Sequence, residues 1–268
     1  MENNPLPLPD AYTPAQIAHR VESAGIAKAA LPLVPLATLG VLAGAFIAFG
    51  AMFFTLVAGD PTLGFAAKRI LGGAVFSLGL ILVVVAGAEL FTGNNLIVIG
   101  WADGKVSTGS LMRNWTIVWS ANFVGAAATA VLVHASGILD LGGGDMARAA
   151  SGIAGAKASL GWFEAIVRGL LCNVLVCLAV WLTMAARDVS GKILAILFPI
   201  AAFVALGFEH SVANMYFLPL GWLLGAEGVT FAAIAHNLLF VTLGNVIGGG
   251  VMVALVYWLI YLSPWGRR

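Results

Sequence analysis

The chain has 268 residues, of which 61% are hydrophobic and 9% are charged, and its formal net charge is +1. A soluble domain carries about 25% charged residues, so this composition excludes an ordinary soluble protein and indicates a membrane protein. The near-zero net charge and the lack of a basic run also exclude an electrostatic nucleic-acid binder. The first ten residues do not have the pattern of a cleavable signal peptide.

A short helix is predicted ahead of the apolar part of the chain. The stretch Thr13-Pro14-Ala15-Gln16 is typical of a capped helix start, and apolar residues then recur at helical spacing over 14–29. We expect an amphipathic helix that lies on the inner membrane surface, within a cytoplasmic N-terminal segment 1–30. A membrane domain, 31–268, follows.

The charged residues divide this domain into candidate spans. Four stretches without charge can each hold a span of about 20 residues: 29–59, 114–139, 169–186 and 228–266. Two further stretches, 70–102 and 193–226, are interrupted by Glu89 and by the pair Glu209-His210. Each is too long for one ordinary span and too short for two, which favours a single span broken near its middle. The sequence therefore predicts six transmembrane helices, with the second and fifth discontinuous.

Lysine and arginine predict the orientation. With the N-terminus inside, eight basic residues are cytoplasmic, among them Lys28, Lys105, Arg267 and Arg268, and five are outside. Both termini are then cytoplasmic.

The two broken spans share a sequence pattern. Gly87-x-Glu89-x4-Asn94 reappears 120 residues later as Gly207-x-Glu209-x4-Asn214. The third and sixth spans share a second pattern, Asn114-x7-Asn122-x2-Gly125 in the third and Asn237-x7-Asn245-x2-Gly248 in the sixth. Halves with three spans each, about 31–137 and 160–266, enter the membrane in opposite directions. We expect an inverted repeat with its site where the two breaks meet.

The chemistry of this centre favours a small anion. Half-helices that begin near Thr92 and near Ser211 would direct their partially positive N-termini at one point. Asn94, Asn173 and Asn214 add neutral hydrogen-bond donors. His210 gains and loses a proton near neutral pH, so it could bind a passing carboxylate and lend it a proton for an apolar crossing.

Large apolar residues near the breaks are candidates for that apolar constriction, namely Phe76, Leu80, Leu90 and Phe203. The two glutamates have a more structural interpretation. We expect Glu89 and Glu209 to hold the broken backbone by accepting N–H hydrogen bonds rather than to contact the solute.

Other classes of protein fit less well. Ser211 is adjacent to His210, and neighbours on a helix diverge, which argues against a serine protease; the sequence has no HExxH motif for a metalloprotease. Cys172 and Cys177 are predicted to pack as small apolar residues, and no metal, cofactor or catalytic residue is expected. We therefore predict that the chain is not an enzyme. An ammonium or water channel remains an alternative, because paired helix breaks and histidines occur there as well.

Several segments resemble the formate/nitrite transporter family over essentially the whole chain. They are AGAELFTGN (86–94), GFEHSVANMYFLP (207–219) and TLGNVIGGG (242–250), together with FSLGLIL (76–82) and NVLVCLAVW (173–181). The resemblance implies an aquaporin-like protomer of six helices with its own pore, assembled as a homopentamer in the bacterial inner membrane.

The resemblance also implies roles for individual residues. The break of the second helix would be an Ω-shaped loop with Leu90, Phe91 and Thr92, and Thr92 would pair with the central His210. The resemblance assigns the apolar slits to Phe76, Leu80 and Phe203 on the periplasmic side and to Leu90 on the cytoplasmic side. It assigns supporting polar roles to Asn173, Glu209 and Asn214. A lysine before the fourth helix matches Lys157.

The substrate implied is formate, with nitrite as the alternative. The C-terminal segment and the NNPLPLP start resemble the formate branch, whereas 225–245 resembles the nitrite branch. The expected partners are thus a small monovalent anion, the lipid bilayer and other copies of this chain.

Overall fold

The computed structural model describes residues 11–265. The first ten residues and the last three, which include Arg267 and Arg268, lie outside the described residues. Within 11–265, six helical segments are long and apolar enough to cross a membrane: Leu33–Gly59, Phe65–Gly87, Thr108–Ala135, Trp162–Ala185, Val189–Leu206 and Phe231–Tyr261. The prediction of an all-α protein with six spans is confirmed.

The α-helices are α1 (Pro14–Ala29), α2 (Leu33–Gly59), α3 (Phe65–Phe76), α4 (Leu78–Ile81), α5 (Val98–Ala102), α6 (Thr108–Ala135), α7 (Asp145–Ala158), α8 (Trp162–Ala185), α9 (Val189–Leu206), α10 (Ser211–Leu223), α11 (Phe231–Val246) and α12 (Val256–Tyr261). A π-helical stretch, Ile247–Leu255, joins α11 to α12 within the sixth span.

The second and fifth spans are interrupted where the sequence predicts. The second runs through α3, α4 and a π-helical turn to Gly87, continues in extended backbone at Ala88, and resumes as a 3₁₀ helix, Gly93–Ile97, followed by α5. In the fifth span α9 ends at Leu206, and α10 begins at Ser211. The turn between them requires Gly207, whose φ of +76° lies in the left-handed region that favours glycine.

Glycines bring two pairs of spans into backbone contact. A Cβ atom on Gly125 of α6 would lie 1.9 Å from the carbonyl oxygen of Val41 in α2, and one on Gly248 of the π-helical stretch would lie 2.2 Å from that of Leu170 in α8. No side chain fits at either place, so the helices approach as closely as their backbones allow. The two contacts occupy equivalent positions in the two halves.

The N-terminal helix forms as predicted and packs against the bundle. Thr13 and Gln16 make the reciprocal capping hydrogen bonds at its start. Its buried face contacts the 3₁₀ helix of the first break together with α5, α8 and α12, and Glu22 is only 4% exposed. The helix therefore packs against the protein beneath the first break through a mostly apolar face that includes Glu22, and its place on the inner membrane surface stays a prediction.

Candidate functional site

The carboxylate of Glu89 organises the first break. Its Oε1 atom accepts a hydrogen bond from Nζ of Lys28 at 2.5 Å, and its Oε2 atom accepts one from Nδ2 of Asn94 at 2.7 Å. Asn94 also donates to Oδ1 of Asn114 at 3.0 Å, and Asn114 donates to the main-chain carbonyl of Lys28 at 3.0 Å. The four residues form a closed ring of hydrogen bonds that includes a partly buried ion pair.

The carboxylate of Glu209 organises the second break in the same way. Nζ of Lys157 lies 2.9 Å from its Oε1 atom and 3.0 Å from its Oε2 atom, and Asn214 donates to Oε2 at 2.7 Å. Nδ2 of Asn214 also donates to Oδ1 of Asn237 at 2.7 Å, and Nδ2 of Asn237 donates to the carbonyl of Lys157 at 2.8 Å. Each residue of the first ring has a counterpart of the same type in the second.

Two asparagines hold the broken backbone itself. Nδ2 of Asn122 donates to the carbonyls of Gly40 and Glu89 at 2.7 and 2.9 Å, and its Oδ1 atom accepts from the N–H of Phe91 at 2.9 Å. The equivalent partners of Asn245 are the carbonyls of Gly169 and Glu209 and the N–H of Ser211. Backbone groups that the breaks leave unpaired are thereby satisfied away from water.

These contacts revise the expected role of the glutamates. Within residues 11–265 the carboxylates of Glu89 and Glu209 accept from lysine and asparagine side chains rather than from backbone N–H groups, because Asn122 and Asn245 already hold the backbone.

Sequence reasoning missed Lys28, which occupies the same place in its ring as Lys157. A signal was present, because each lysine stands twelve residues before the glycine that binds the bridging asparagine, Gly40 in one half and Gly169 in the other. The helices that carry the lysines, α1 and α7, are thus equivalent in the two networks. This equivalence favours a repeat that begins at α1, ahead of the predicted boundary at residue 31.

His210 and Thr92 meet between the two rings. Nε2 of His210 lies 2.8 Å from Oγ1 of Thr92, and Nδ1 accepts a hydrogen bond from the N–H of Ala213 at 3.1 Å. Because Nδ1 is an acceptor here, the ring is neutral and its proton is on Nε2, which donates to the threonine. His210 is 2% exposed and Thr92 is fully buried.

The helix N-termini at the breaks offer fewer free N–H groups than predicted. In α10 the N–H groups of Ser211 and Ala213 already bind Asn245 and His210. The first break resumes as a 3₁₀ helix of five residues rather than an α-helix, so its dipole is short. Attraction of an anion therefore depends more on side chains than the sequence suggests.

A cavity opens on each side of the Thr92–His210 pair. One, of about 190 Å³, is called the Lys157 vestibule and is lined by Phe54, Arg69, Phe76, Ile153, Ala156, Lys157, Leu160, Arg168, Phe203, Val204, Gly207, Phe208, Glu209, His210, Ala213 and Phe217. The other, of about 440 Å³, is called the Lys28 vestibule and is lined by Lys28, Leu39, Leu80, Val83, Val84, Ala86, Gly87, Ala88, Glu89, Leu90, Gly93, Asn94, Val180, Thr183 and Met184.

Four of the five predicted constriction residues line one or the other vestibule. Phe76 and Phe203 form an edge-to-face pair with ring centroids 5.7 Å apart, and Phe203 stacks on His210 at 5.9 Å. Leu90 lines the Lys28 vestibule. Leu80 lines it too, although the family resemblance assigns Leu80 to one slit with Phe76 and Phe203, which line the Lys157 vestibule. All are buried.

Three other predicted site residues have different surroundings. Phe91 packs edge-to-face on Trp115 at 6.2 Å and lines a groove between α6 and α11, so the structure does not bring its side chain to the slit. Asn173 is fully buried behind Thr92, with its Nδ2 atom 3.2 Å from the threonine carbonyl. Asn214 belongs to the Glu209 ring. A pathway role for Asn173 and Asn214 stays a prediction.

Six spans with two matched breaks, and a polar centre between opposed vestibules, define the class of inverted-repeat membrane channels and transporters. Comparison with known proteins identifies the family. The model of the formate/nitrite transporter family matches residues 15–259. The chain therefore belongs to the formate/nitrite transporter family, and it is a transport protein rather than an enzyme.

Relatives and solved structures agree with this assignment. The chain is 45% identical to a probable formate transporter of Methanothermobacter thermautotrophicus, covering 94% of this chain and 97% of that protein. It is 38% identical to the formate channel FocA of Escherichia coli K12, over 94% and 95% of the two chains. A solved structure described as a pentameric formate channel with formate bound superposes with a TM-score of 0.80 at 38% identity, over 86% of this chain and 98% of that one.

Proposed function

We propose that this protein is a homopentameric formate channel or transporter of the bacterial inner membrane, with both termini in the cytoplasm. The observation that carries the proposal is the buried Thr92–His210 pair, 2.8 Å apart, between two vestibules that each contain a lysine. Formate as the solute and the pentameric assembly are supported by the descriptions of the relatives above.

The lysines give each vestibule a cation that an anion can approach. Lys28 has a side chain 32% exposed, and that of Lys157 is 15% exposed, although both are paired with a glutamate. The ammonium group has three donors, so each lysine can bind a further oxygen atom without leaving its carboxylate. In the proposed orientation Lys28 faces the cytoplasm and Lys157 faces the periplasm.

The apolar slit sets the barrier for a charged solute. A dry ring such as Phe76–Phe203 disfavours an anion by at least about 3 kcal/mol, and the neutral acid avoids most of that cost. Formate that gains a proton next to the slit can cross as formic acid and release the proton to water beyond it.

His210 lends this proton through Thr92. In its protonated state the ring passes the proton on Nε2 to Oγ1 of Thr92, while the threonine passes its hydroxyl proton to a formate oxygen. The ring is then neutral with its remaining proton on Nδ1, and a proton from solvent restores the imidazolium. Protonating Nδ1 displaces the hydrogen bond from Ala213, so formation of the imidazolium requires a local movement of the ring and is favoured at low pH.

Nitrite is the second candidate, because it is also a small planar monovalent oxyanion and the family comprises formate and nitrite transporters. An ammonium channel is disfavoured, since the lining of the Lys157 vestibule has three basic residues and one carboxylate and therefore repels a cation.

The test is uptake of isotope-labelled formate, nitrite and ammonium into proteoliposomes that contain the purified protein. The proposal expects formate to enter fastest, nitrite to compete with it, and ammonium to be excluded. Fast nitrite uptake with little formate uptake favours the second candidate. Flux of ammonium or water with neither anion contradicts both.

A further inference from the structure

The polar rings are symmetric, but the two vestibules differ in charge. The N–H of Glu89 donates to the carbonyl of Leu39 at 3.2 Å, and the N–H of Glu209 donates to that of Arg168 at 3.2 Å, so Leu39 and Arg168 are equivalent positions. Leu39 lines the Lys28 vestibule and Arg168 lines the Lys157 vestibule. A second arginine, Arg69, also lines the Lys157 vestibule. The Lys28 vestibule, in contrast, has no arginine among its described lining residues.

The two arginines converge on the fifth-span break. Nε of Arg69 donates to the carbonyl of Ala205 at 2.7 Å, and Nη1 of Arg168 lies 3.5 Å from the carbonyl oxygen of Gly207. A Cβ atom on Gly207 would lie 2.7 Å from Nη2 of Arg69, so the guanidinium of Arg69 lies directly over this glycine. Both cations thus stand at the mouth of the vestibule whose floor is His210.

The charges at this mouth do not cancel. Lys157 is paired with Glu209, and Arg168 is paired with Glu164. Arg69 has no carboxylate partner within residues 11–265, so three cations face two carboxylates and the mouth has one excess positive charge. The Lys28 vestibule has one lysine and one glutamate among its lining residues and therefore no excess. An anion is attracted to one vestibule more than to the other.

The free atoms of Arg69 suit a planar anion. Only Nε makes a hydrogen bond within the described part of the chain, which leaves the Nη1 and Nη2 atoms available. A guanidinium presents its N–H groups as a planar fork that matches two oxygen atoms of a carboxylate or a similar oxyanion. Lysine, a compact point charge, does not provide that match.

We propose that Arg69 and Arg168 form an anion-binding subsite at the mouth of the Lys157 vestibule, which captures a small planar monovalent oxyanion before it reaches His210. The subsite gives the protein unequal affinities for the anion on its two sides. This inference rests on the proposed function for the identity of the anion, formate.

The test measures labelled formate flux in proteoliposomes in which the protein has a single known orientation, with formate supplied from one side at a time. The variant Arg69→Gln/Arg168→Gln keeps hydrogen-bond donors for the carbonyls of Ala205 and Gly207 but removes both charges. We expect the formate concentration for half-maximal flux to rise about fivefold on the Lys157 side and to stay unchanged on the Lys28 side. Arg69→Lys/Arg168→Lys should recover part of the loss.

Lys68→Gln is the matched control, because it removes a positive charge next to Arg69 from a residue that does not line the vestibule. An equal shift on both sides, no shift, or the same shift in the Lys68→Gln control would overturn the subsite.

A second measurement on the wild-type protein does not depend on transport or on the variants folding. Phenylglyoxal modifies accessible arginines, and mass spectrometry reports its extent at each position. Formate should protect Arg69 and Arg168 but not Arg113 or Arg148, which lie outside the vestibule. Protection of the two arginines without formate flux would contradict the proposed function and support the subsite. Formate flux without protection would support the proposed function and contradict the subsite.

Discussion

The Nε2 atom of His210 lies 2.8 Å from the Oγ1 atom of Thr92, although the two residues are 118 positions apart in the chain. Each stands at the break of a discontinuous span, and the two breaks come from halves that enter the membrane in opposite directions. The inverted repeat therefore assembles a pair that neither half contains alone. In the proposed mechanism this pair is the proton donor and its hydroxyl relay, next to the Phe76–Phe203 pair.

Removal of the Thr92 hydroxyl should slow formate transport. Thr92→Val keeps the shape of the side chain but removes the hydroxyl that accepts from the Nε2–H of His210. A buried donor left without its partner costs about 1–3 kcal/mol of free energy. We expect formate flux to fall about tenfold, as measured by uptake into proteoliposomes at acidic pH. Thr92→Ser is the control, since it keeps the hydroxyl and should retain most of the flux. Full activity in Thr92→Val would contradict a relay through this hydroxyl.

Loss of a lysine should destabilise its half of the protein. Lys157→Met leaves the carboxylate of Glu209, whose side chain is 5% exposed, with Asn214 but without a counter-charge, and breaking such a buried pair costs about 3–5 kcal/mol. Lys28→Met should cost less, because Lys28 is twice as exposed and water screens its ion pair more strongly. Thermal unfolding in detergent measures both.

The control for the lysine variants is the neutral pair Lys157→Met/Glu209→Gln. It removes the uncompensated charge and should recover much of the stability lost in Lys157→Met. If the two variants unfold at the same temperature, the loss comes from packing and not from the unpaired carboxylate.

The repeated polar patterns of the sequence identified most of the ring residues, although not the hydrogen bonds between them. The shared G-x-E-x4-N pattern and the paired asparagines of the third and sixth spans identified six of the eight ring residues and both bridging asparagines, because each pattern lies within one span and keeps a constant register. Lys28 was not predicted, since it is 129 residues from Lys157 while the glutamates are 120 residues apart. The loops between spans differ in length, so the offset changes along the repeat.

Tertiary packing accounts for the other differences. The direction of the Phe91 side chain follows from the hydrogen bond between its N–H and Asn122, a contact between residues 31 positions apart. The docking of α1 against the first break likewise depends on partners far along the chain. Local spacing alone contains no signal for either feature.

A smaller residue at position 203 should relax the selectivity of the slit. Phe203→Ala removes the ring that packs edge-to-face on Phe76, which opens the constriction beside His210. We expect the ratio of acetate flux to formate flux to rise several-fold. Phe198→Ala on the same helix is the control, because Phe198 is 73% exposed and faces away from the pathway. An unchanged ratio in Phe203→Ala would show that the selective step is elsewhere.

A cluster at the membrane surface should hold α1 in place. Nζ of Lys105 lies 2.9 Å from Oε2 of Glu22 in α1 and 3.0 Å from Oδ2 of Asp103. The hydrogen bond to Glu22, followed by that to Asp103, raises the pKa of Lys105 above its ordinary value. Because the folded-state pKa is raised, the stabilisation is complete below the ordinary lysine pKa of about 10.4 and is lost as the pH rises through the folded value.

We therefore expect Lys105→Met to loosen α1 at neutral pH, and the wild type to show the same loosening only at strongly alkaline pH. Because the side chain of Lys105 is 46% exposed, the substitution should weaken the attachment of α1 by only about 1 kcal/mol of free energy. Limited proteolysis between α1 and α2 measures the effect, with Lys105→Arg as the charge-preserving control. Equal cleavage of all three proteins at neutral pH would exclude this cluster as the attachment of α1.

The central claim is that His210 lends a proton to the passing anion, and its most direct test is the pH dependence of labelled formate uptake with the wild type and His210→Asn. The asparagine can still donate a hydrogen bond to Thr92 but cannot carry a proton. Wild-type uptake should rise as the pH falls, because low pH favours the imidazolium, while uptake by His210→Asn should stay low and nearly flat. Equal fluxes through the two proteins at every pH would contradict the central claim.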